Sequence, residues 1–546
     1  MKRPSALQAL TIAALLAGLV ALLLGLPAAG TPGWDAASYA LGSLRMAESL
    51  RVFDLAEFAR ELHGDGLNPP LGRVAMSFGF LIGGPGFLAP RAMTCVAWIL
   101  TLFLASRLAR KLVPEDQGDT AAFWTACFGL TSWLGVVHAR SAFMEPYSAL
   151  ITVTACLAYL RAREEGRAAW GILGGVLLGA AFLTKFTYGP QLIGAVGLCA
   201  LVDLVHRGAP PASRRVLPWG LLGLGVVLAW WFLLPLPYGW PMGRSHWANF
   251  LQYLDTPRTQ STLGPGFTVV AWLLESFLSL PAFLIAFAGI LWGLRHAGRG
   301  APRLCALLAL IGPLSFALYP FRVDRFLLPT LPATWALGGA LCAVFLHRLS
   351  ARARLPVAVA VLAVIIGMRG IGDELVTRLA FELPAELPQE VLDNFDEWKH
   401  PYRYRPAPAS GPEGNERVLD FAAAQLDPDQ PFAWIGGTAT ELSYDLLFWR
   451  LFQEHGDRRI LGDESPGVAH LWDDPGWDEA AFRKWSSFFP RVVTLDPPDP
   501  KNRKGRDFER DYVTWMTRHP GFRVRASEDV LLDGRGHRVT AYERVE

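Results

Sequence analysis

The stretch Gly33–Pro70, GWDAASYALGSLRMAESLRVFDLAEFARELHGDGLNPP, decides how this chain is interpreted, because it is the first long polar interruption in a hydrophobic sequence. It follows a single apolar segment over residues 6–27. An apolar helix needs about 20 residues to cross the hydrocarbon of a bilayer, so that segment is long enough to span. The pattern predicts a membrane helix followed by an acidic loop just outside it. The carboxylates of the loop are Asp35, Glu48, Asp54, Glu57, Glu61 and Asp65.

Composition places the whole chain in the membrane class. Hydrophobic residues make up 52% of the 546 residues and charged residues only 18%, against roughly 25% charged residues in soluble domains. The 20 Trp and 32 Phe suit bilayer interfaces and lipid-facing helices. Lys2 and Arg3 precede the first apolar segment as in a secretory signal, but the segment exceeds a signal core of about 7–15 residues. We therefore expect it to be retained as the first helix.

Eleven segments are apolar enough to be membrane spans, and their flanking charges predict an orientation. The segments are 6–27, 88–108, 120–138, 146–162, 169–184, 186–206, 216–236, 268–293, 302–320, 326–347 and 355–371. Basic residues in short loops mark the cytoplasmic side. They form six clusters: Lys2/Arg3, Arg107/Arg110/Lys111, Arg161/Arg163/Arg167, Arg207/Arg214/Arg215, Arg295/Arg299/Arg303 and Arg348/Arg352/Arg354. If all six are cytoplasmic, the spans alternate throughout, with the N-terminus inside and the C-terminus outside.

This alternation makes residues 28–87 and 237–267 the large external loops, with shorter ones at 139–145, at a tight turn near Lys185 and at 321–325. Residues 36–62 have a helix-forming composition and are expected to form one or two helices on the membrane surface. Residues 71–86 are also apolar, but a span there would reverse the side of every later basic cluster. The segment ends in a Gly/Pro cluster, so we predict an interfacial or re-entrant helix on the outer face.

The composition changes after residue 372 and predicts a separate C-terminal domain. We expect a transmembrane domain over 1–372, a linker over 373–417 and a small external α/β domain over 418–546. The predicted strands are 431–437, 491–496 and a terminal set within 521–545 that turns at Asp533-Gly534, and the predicted helix is 438–454. The predicted fold class is thus a helical polytopic membrane protein of about eleven spans with a C-terminal α/β domain.

Two carboxylates at the predicted outer face are candidates for chemistry. Asp35 lies just past the first span and shares a helix face with Tyr39 at i, i+4. Glu145 lies at the outer end of a span, directly before Pro146. An acid near a helix N-terminus is also a favourable cap, and that interpretation stays open for both residues. An acid at this depth is costly, however, which favours a function for Glu145.

Four external cations oppose the general bias of basic residues toward the cytoplasm, so each needs a reason. They are Arg140, Lys185, Arg322 and Arg325. One reason is binding of a lipid phosphate, which Arg contacts through two N–H groups and Lys as a point charge. The other is pairing with Asp324, Glu145 or Asp35. The sequence leaves both open.

Apart from one histidine, the rest of the sequence lacks the motifs of metal and nucleotide binding. His246 in the loop 237–267 is a candidate substrate-binding residue, although a lone His is more often structural. No His, Cys or Asp cluster has metal-ligand spacing, so no cofactor is predicted, and a divalent metal is left open. The sequence contains no nucleotide-binding fingerprint, and we expect no nucleic-acid partner.

The order of these motifs resembles the glycosyltransferase C superfamily. The series is WD and Tyr39 after the first span, Asn68-Pro69-Pro70-Leu71, a span led by Arg91, ARSAFME before another span, and then LGAAFLTK. It is similar to the dolichyl- and polyprenyl-phosphate-dependent branch, which includes protein O-mannosyltransferases and the bacterial aminoarabinose transferase of lipid A. The likeness covers about 28–190 and, through RFLLPTLPA, the stretch 319–345.

The resemblance implies a mechanism and partners. Asp35 matches the first-loop acid that deprotonates the acceptor, and Glu145 matches the second-loop carboxylate, usually Asp. Asn68 stands where the family usually has His or Lys. The implied donor is a polyprenyl-phosphate-linked sugar, the acceptor is a lipid, a glycan or a protein, and direct displacement inverts the anomeric centre. The enzyme would lie in the inner (plasma) membrane and act on its outer face.

Two other classes of function compete with this one. A transporter or flippase of lipid-linked substrates predicts inverted halves and charges in the middle of spans, and neither is evident. A non-catalytic membrane scaffold would bind partners through the C-terminal domain. The presence of Asp35 and Glu145 argues against the scaffold.

The predicted orientation can be checked with a fusion. A reporter that works only in the cytoplasm, fused after residue 380, should be silent, because the eleven spans place that position outside. An active reporter would contradict the topology.

Overall fold

The computed structural model describes most of the helical part of the chain and the C-terminal sheet. The described residues are 5–26, 34–64, 70–186, 188–205, 210–233, 280–318, 327–367, 411–426, 430, 432–435, 447, 450–451, 489–497, 513–518, 520–532 and 535–545. The chain divides into two compact units. One comprises Met1–Pro27 and Ser49–Lys399, and the other Ala28–Glu48 and His400–Glu546.

Fifteen described α-helices precede the C-terminal part. They are α1 Ala6–Leu24, α2 Trp34–Arg51, α3 Leu55–Gly64, α4 Pro70–Gly83, α5 Leu88–Arg110, α6 Gly118–Thr131, α7 Trp133–Arg140, α8 Glu145–Glu165, α9 Ala168–Thr184, α10 Gly189–Val205, α11 Pro211–Leu233, α12 Leu280–Arg295, α13 Gly300–Leu318, α14 Leu331–Arg348 and α15 Ala351–Gly367. Each of the eleven predicted spans overlaps one of these helices, and the span 120–138 overlaps two, α6 and α7. Residues 268–279 of the predicted eighth span lie outside the described residues.

Length and apolarity single out fewer spans than eleven among the described residues. Ala6–Leu24, Leu88–Arg110 and Pro211–Phe232 are long and apolar enough to cross a membrane. The pair Glu115–Thr131 and Leu134–Arg140, bent by 66°, would be a fourth if it forms one broken span. Several other apolar helices, including α4, α9 and α10, are shorter. The count of eleven therefore stays a prediction.

Polar contacts join the helix ends that carry the basic clusters. At the starts of α1 and α6, Gln8 Nε2 donates to Asp119 Oδ1 at 3.1 Å, and Arg110 at the end of α5 pairs with Asp119 at 3.0 Å. At the end of α8, Glu164 pairs with Lys111 at 2.7 Å and Arg163 pairs with Asp203 of α10 at 2.7 Å. At the end of α14, His347 lies 3.7 Å from Asp116. These pairs connect the starts of α1 and α6 with the ends of α5, α8, α10 and α14. The same helix ends therefore lie together, as the predicted alternation requires.

The predicted surface helices within 36–62 form as two helices, but α2 is placed differently from the prediction. Residues 39–49 of α2 are buried or half-buried, including Leu44 and Met46 at 0% exposure. This part of α2 is therefore covered by protein instead of resting on a membrane surface, and residues 28–48 belong to the second unit. Asp54 begins α3, since its Oδ1 accepts from the Glu57 N–H at 2.9 Å. That bond is an N-cap, which satisfies a backbone donor of the first helical turn.

The C-terminal part forms the expected small sheet. Helix α16 (Gly411–Gln425) begins inside the predicted linker, and the strands are β1 Phe432–Ile435, β2 Arg491–Asp496, β3 Phe522–Leu532 and β4 Arg535–Arg544. The strand order is β1-β2-β4-β3, with β1 parallel to β2 and the other two pairs antiparallel. The predicted strands are confirmed, while most of the predicted helix 438–454 lies outside the described residues.

Helices α9 and α11 pack at backbone contact through glycine. A Cβ built on Gly175 would overlap the Gly220 carbonyl oxygen and lie 2.7 Å from the Leu224 nitrogen. One on Gly223 would overlap the Ile172 carbonyl oxygen. Since lipid tails are as apolar as side chains, helices in membranes associate largely through such close packing of small residues. Glycine is therefore required at this crossing.

Replacing Gly175 by Ala should destabilise the protein by about 1–3 kcal/mol, because the methyl group would push two backbones apart. Gly225→Ala on α11 is the matched control, since a Cβ there meets nothing within 4 Å. The control should be neutral or stabilising, by up to about 1 kcal/mol, because a helical glycine loses entropy on folding. Thermal unfolding in detergent measures both, and an equal effect of the two changes would contradict the packing argument.

Candidate functional site

The carboxylate of Glu145 lies where a short loop turns into a long helix. Helix α7 ends at Arg140 and α8 begins at Glu145, with Pro146 in its first turn. Proline suits this position because its fixed φ matches a helix and its missing N–H has no intrahelical partner there. An acid in the first turn also interacts favourably with the positive end of the helix dipole. The local sequence therefore places Glu145 at the helix N-terminus, as predicted.

Helix α5 holds the other side of this loop. The Thr94 hydroxyl has one proton and three carbonyl acceptors within reach: the Arg91 oxygen of its own helix at 2.7 Å, the Ala139 oxygen at 2.8 Å and the Ser141 oxygen at 3.3 Å. Cys95 Sγ lies 3.1 Å from the Ala139 oxygen. Carbonyls at a helix end lack intrahelical partners and need such donors when they are buried. The end of α7 and the loop before α8 are thereby held against α5.

The tight turn predicted near Lys185 is present and carries a cation and a phenol. Helix α9 ends at Thr184, and Lys185 adopts an extended backbone with φ −159°. The Tyr188 N–H donates to the Lys185 carbonyl at 3.1 Å, and α10 begins at the next residue, Gly189. The turn therefore places Lys185 and Tyr188 together between two helices.

Lys185 and Tyr188 contact Glu145, and we call these three residues the outer cluster, after the side on which the sequence predicts them to lie. Lys185 Nζ lies 3.1 Å and Tyr188 Oη 2.9 Å from Glu145 Oε1. Glu145 is 0% exposed, and the Lys185 side chain is 10% exposed. Burying an ionised carboxylate is costly unless a cation and hydrogen bonds replace its water, and this arrangement supplies both. The structure thus brings two sequence-predicted site residues together, and realises the pairing that the sequence left open for Lys185.

Further cations lie at the end of the helical unit that carries the outer cluster. Arg140 donates to the Gly25 carbonyl at the end of α1, where a cation is favoured by the helix dipole. Arg91 is buried and close enough to Arg140 for their charges to interact. Arg73 on α4 is 4% exposed. The preceding residue, Gly72, packs so closely on Met144 that a Cβ would lie 2.7 Å from its Sδ.

Sequence reasoning missed Arg73, Arg91 and Tyr188 as possible site residues. A usable signal was present for the two arginines, because an ionisable residue inside an apolar segment is a candidate for function by default. Tyr188 carries no such signal. Its role depends on Glu145, which lies 43 residues earlier in the chain.

Several predicted site residues remain untested. Asp35 is the second residue of α2, and its side chain lies outside the described residues, as do Asn68, His246, Arg322 and Arg325 entirely. Tyr39 is buried on the same helix. Asp35 and Glu145 belong to different units, and the predicted roles of both residues stay predictions. Within the part of the chain that is described, no group of three or more His, Cys, Asp or Glu is arranged to hold a metal ion.

The segment that holds this site matches a known family. Residues 67–232 match the model of the dolichyl-phosphate-mannose-protein mannosyltransferase family. This range contains the whole outer cluster. A comparison with curated proteins finds no match.

Solved structures extend the likeness over the whole chain. Two are of ArnT from Cupriavidus metallidurans, one bound to undecaprenyl phosphate (TM-score 0.62, 17% identity, 97% of each chain covered) and one in the apo state (TM-score 0.63, 17% identity, 98% of each chain covered). The arabinofuranosyltransferase AftD from Mycobacteria matches with a TM-score of 0.52 and 15% identity, over 97% of this chain and 40% of that one. At such identities the likeness concerns the fold.

These comparisons confirm the resemblance inferred from the order of motifs. The chain shares the fold of ArnT, with a small C-terminal sheet, and its residues 67–232 match the model of a mannosyltransferase family. The predicted fold class is thereby confirmed, and the family match over residues 67–232 agrees with the predicted enzyme class, a glycosyltransferase.

Removing the charge of Glu145 should destabilise the protein strongly. Glu145→Gln leaves Lys185 facing a neutral amide in a buried site, and breaking one side of a buried ion pair costs about 3–5 kcal/mol. Glu145→Gln/Lys185→Gln should lose much less than the sum of the two single changes, because neither charge then remains unpaired. Thermal unfolding of the three variants gives the coupling, and additive losses would show that the pair does not contribute.

Proposed function

We propose that this chain is an inverting glycosyltransferase of the inner membrane that moves a sugar from a polyprenyl-phosphate donor to an acceptor on the outer face. The observation that carries the proposal is the buried outer cluster inside the family-matched range 67–232. The likeness to ArnT, whose structure was obtained with undecaprenyl phosphate, supports a lipid-phosphate donor. The acceptor class is a lipid, a glycan or a protein.

The donor phosphate needs cations at the membrane interface. The leaving group of the reaction is a lipid phosphate, and its developing charge is stabilised by preorganised Lys or Arg side chains. We assign this role to at least two of Arg140, Lys185, Arg322 and Arg325. Lys185 and Arg140 are both held by hydrogen bonds to other helices, which limits the reorganisation needed when the phosphate arrives.

Glu145 fits the role of a positioning carboxylate better than that of a base. A general base must come within about 2.6–3.2 Å of the proton that it removes, directly or through one water. Glu145 is 0% exposed and accepts from Lys185 and Tyr188 on one oxygen. We assign to it the task of holding the Lys185 ammonium where the donor phosphate binds.

Asp35 then remains as the general base. The acceptor oxygen or nitrogen attacks the anomeric carbon and forms the new glycosidic bond while its proton passes to Asp35. The bond from the anomeric carbon to the phosphate oxygen breaks, and the lipid phosphate leaves with the electron pair. Attack opposite the leaving group inverts the anomeric centre. Proton removal of this kind contributes roughly 10²–10⁴-fold to rate.

The positions of the buried charges favour this transferase over a transporter. A transporter places ionisable residues near the bilayer midplane, on broken helices. Glu145 begins α8, and Lys185 directly follows α9. Chemistry on a lipid headgroup needs charged groups at the ends of the membrane helices, as these two residues are.

Asp35→Asn tests the base. The amide keeps the shape of the side chain and loses only the favourable interaction of a first-turn acid with the helix dipole, so stability should change by no more than about 1 kcal/mol. Transfer of a radiolabelled sugar from polyprenyl phosphate should fall at least ~100-fold, because an amide cannot accept the proton.

Asp54→Asn is the matched control, because Asp54 is a helix cap in the same loop region. It should keep nearly full activity at equal folding. If Asp35→Asn behaved like Asp54→Asn, Asp35 would be only a cap, and Glu145 would become the next candidate for the base.

A further inference from the structure

A second set of buried charges lies at the opposite end of α8, and the reaction proposed above does not use it. Asp203 on α10 is 2% exposed and accepts from Arg163 Nε at 2.7 Å and from the Tyr159 hydroxyl at 3.3 Å. Arg303 on α13 donates to the other oxygen of Asp203. We call Tyr159, Arg163, Asp203 and Arg303 the inner cluster. Sequence reasoning counted Arg163 and Arg303 only as cytoplasmic basic residues and did not single out Asp203.

The inner cluster joins three helices tightly. Arg303 Nη2 also lies 3.4 Å from the Cys199 carbonyl oxygen, one turn before Asp203. The Arg163 guanidinium lies against the start of α13, where a Cβ on Gly300 would be 2.5 Å from its Cζ. Two arginines and one hydroxyl thus hold a single carboxylate in a site that is largely closed to water. Such a site tolerates little sliding of one helix past another, because each charge would lose its partner.

Helices α8 and α10 are therefore linked at both ends. The outer cluster joins the start of α8 to the turn before α10, and the inner cluster joins their other ends. At 1.5 Å per residue, Glu145 and Arg163 lie about 27 Å apart along α8. Between the two links, Cys156 and Leu160 of α8 share a buried apolar cluster with Val196 and Cys199 of α10.

We propose that Asp203 is a positioning residue for the outer cluster. By fixing α8 against α10 along their axes, it sets where Lys185 stands relative to Glu145, and hence where a lipid phosphate binds. A slide of one residue is about 1.5 Å, which exceeds the misplacement of about 1 Å that already costs an enzyme much of its rate. The inference rests on the proposed function, since it assigns the phosphate site to Lys185.

Binding of undecaprenyl phosphate by the purified full-length protein tests the inference without a sugar donor. Asp203→Asn should weaken binding about tenfold, within the range by which distant residues alter coupling. Glu145→Gln/Lys185→Gln, which changes both partners of the pair and so is the less destabilised variant, should also weaken it. Adding Asp203→Asn to that variant should weaken binding no further, because Asp203 acts through Lys185. Independent effects would simply multiply, as for sites more than about 7–10 Å apart without shared partners.

Two further variants keep the test decisive. Tyr159→Phe removes one hydroxyl from Asp203 without leaving a buried charge unpaired, and should weaken binding about two- to threefold even if Asp203→Asn folds poorly. Glu164→Gln is the matched control, because Glu164 forms an exposed pair with Lys111 at the same end of α8. It should leave binding unchanged.

The outcomes separate the two proposals. If the wild-type protein binds undecaprenyl phosphate but Asp203→Asn and Tyr159→Phe match Glu164→Gln, the role of Asp203 is overturned and the proposed function stands. The same holds if Asp203→Asn weakens binding equally in the wild-type protein and in Glu145→Gln/Lys185→Gln. If the wild-type protein does not bind undecaprenyl phosphate, the proposed function fails, and the positioning role fails with it.

Discussion

The contact of Glu145 with Lys185 and Tyr188 is the interaction on which the outer end of the helical unit depends. An ionised carboxylate at membrane depth is tolerated only where protein groups replace the water around it. Here an ammonium and a phenol do so, at 3.1 and 2.9 Å from one carboxylate oxygen. The same contact joins the start of α8 to the turn between α9 and α10. Thr94 of α5 contacts the end of α7, just before the loop that leads to Glu145. The start of α8 is therefore positioned by α5 as well as by the turn between α9 and α10.

Between the charged contacts at their ends, the helices are held together by the close packing of small residues. Helices in lipid gain little from the hydrophobic effect when they associate, so close approach of small residues takes its place. The glycines of α9 and α11 bring the two backbones into contact, while the ends of α8, α10 and α13 are joined by charges. Small residues thus set how near the helices come, and the buried ion pairs set their axial register. The outer cluster inherits its geometry from both.

The arrangement suits chemistry on a lipid headgroup. A phosphate at the membrane interface needs cations, and Lys185, Arg140, Arg91 and Arg73 lie on different elements at the end of the unit that carries the outer cluster. The resemblance predicts a His or Lys where this chain has Asn68. Cations at this end come instead from α4, from α5, from the end of α7 and from the turn before α10. A site built from several helices in this way depends on their relative positions. For this reason a distant residue such as Asp203, which fixes α8 against α10, affects the geometry of the outer cluster.

Sequence alone determined which segments are apolar helices, where the strands of the C-terminal sheet lie, and that Glu145 and Lys185 stand at helix ends. Local rules suffice for these features, because hydrophobic periodicity, proline placement and charge bias act over a few residues. The order of motifs along the chain was also enough to indicate the fold and the enzyme class.

Only the tertiary structure decided which residues the buried charged side chains contact. Glu145 meets Lys185 and Tyr188 across about 40 residues, and Asp203 meets Arg303 across 100. The burial of α2 and the grouping of residues 28–48 with the C-terminal unit were equally invisible in the sequence. The physical reason is that a residue pattern reports the depth and the face of a helix, whereas the choice of neighbour depends on how all the helices pack at once.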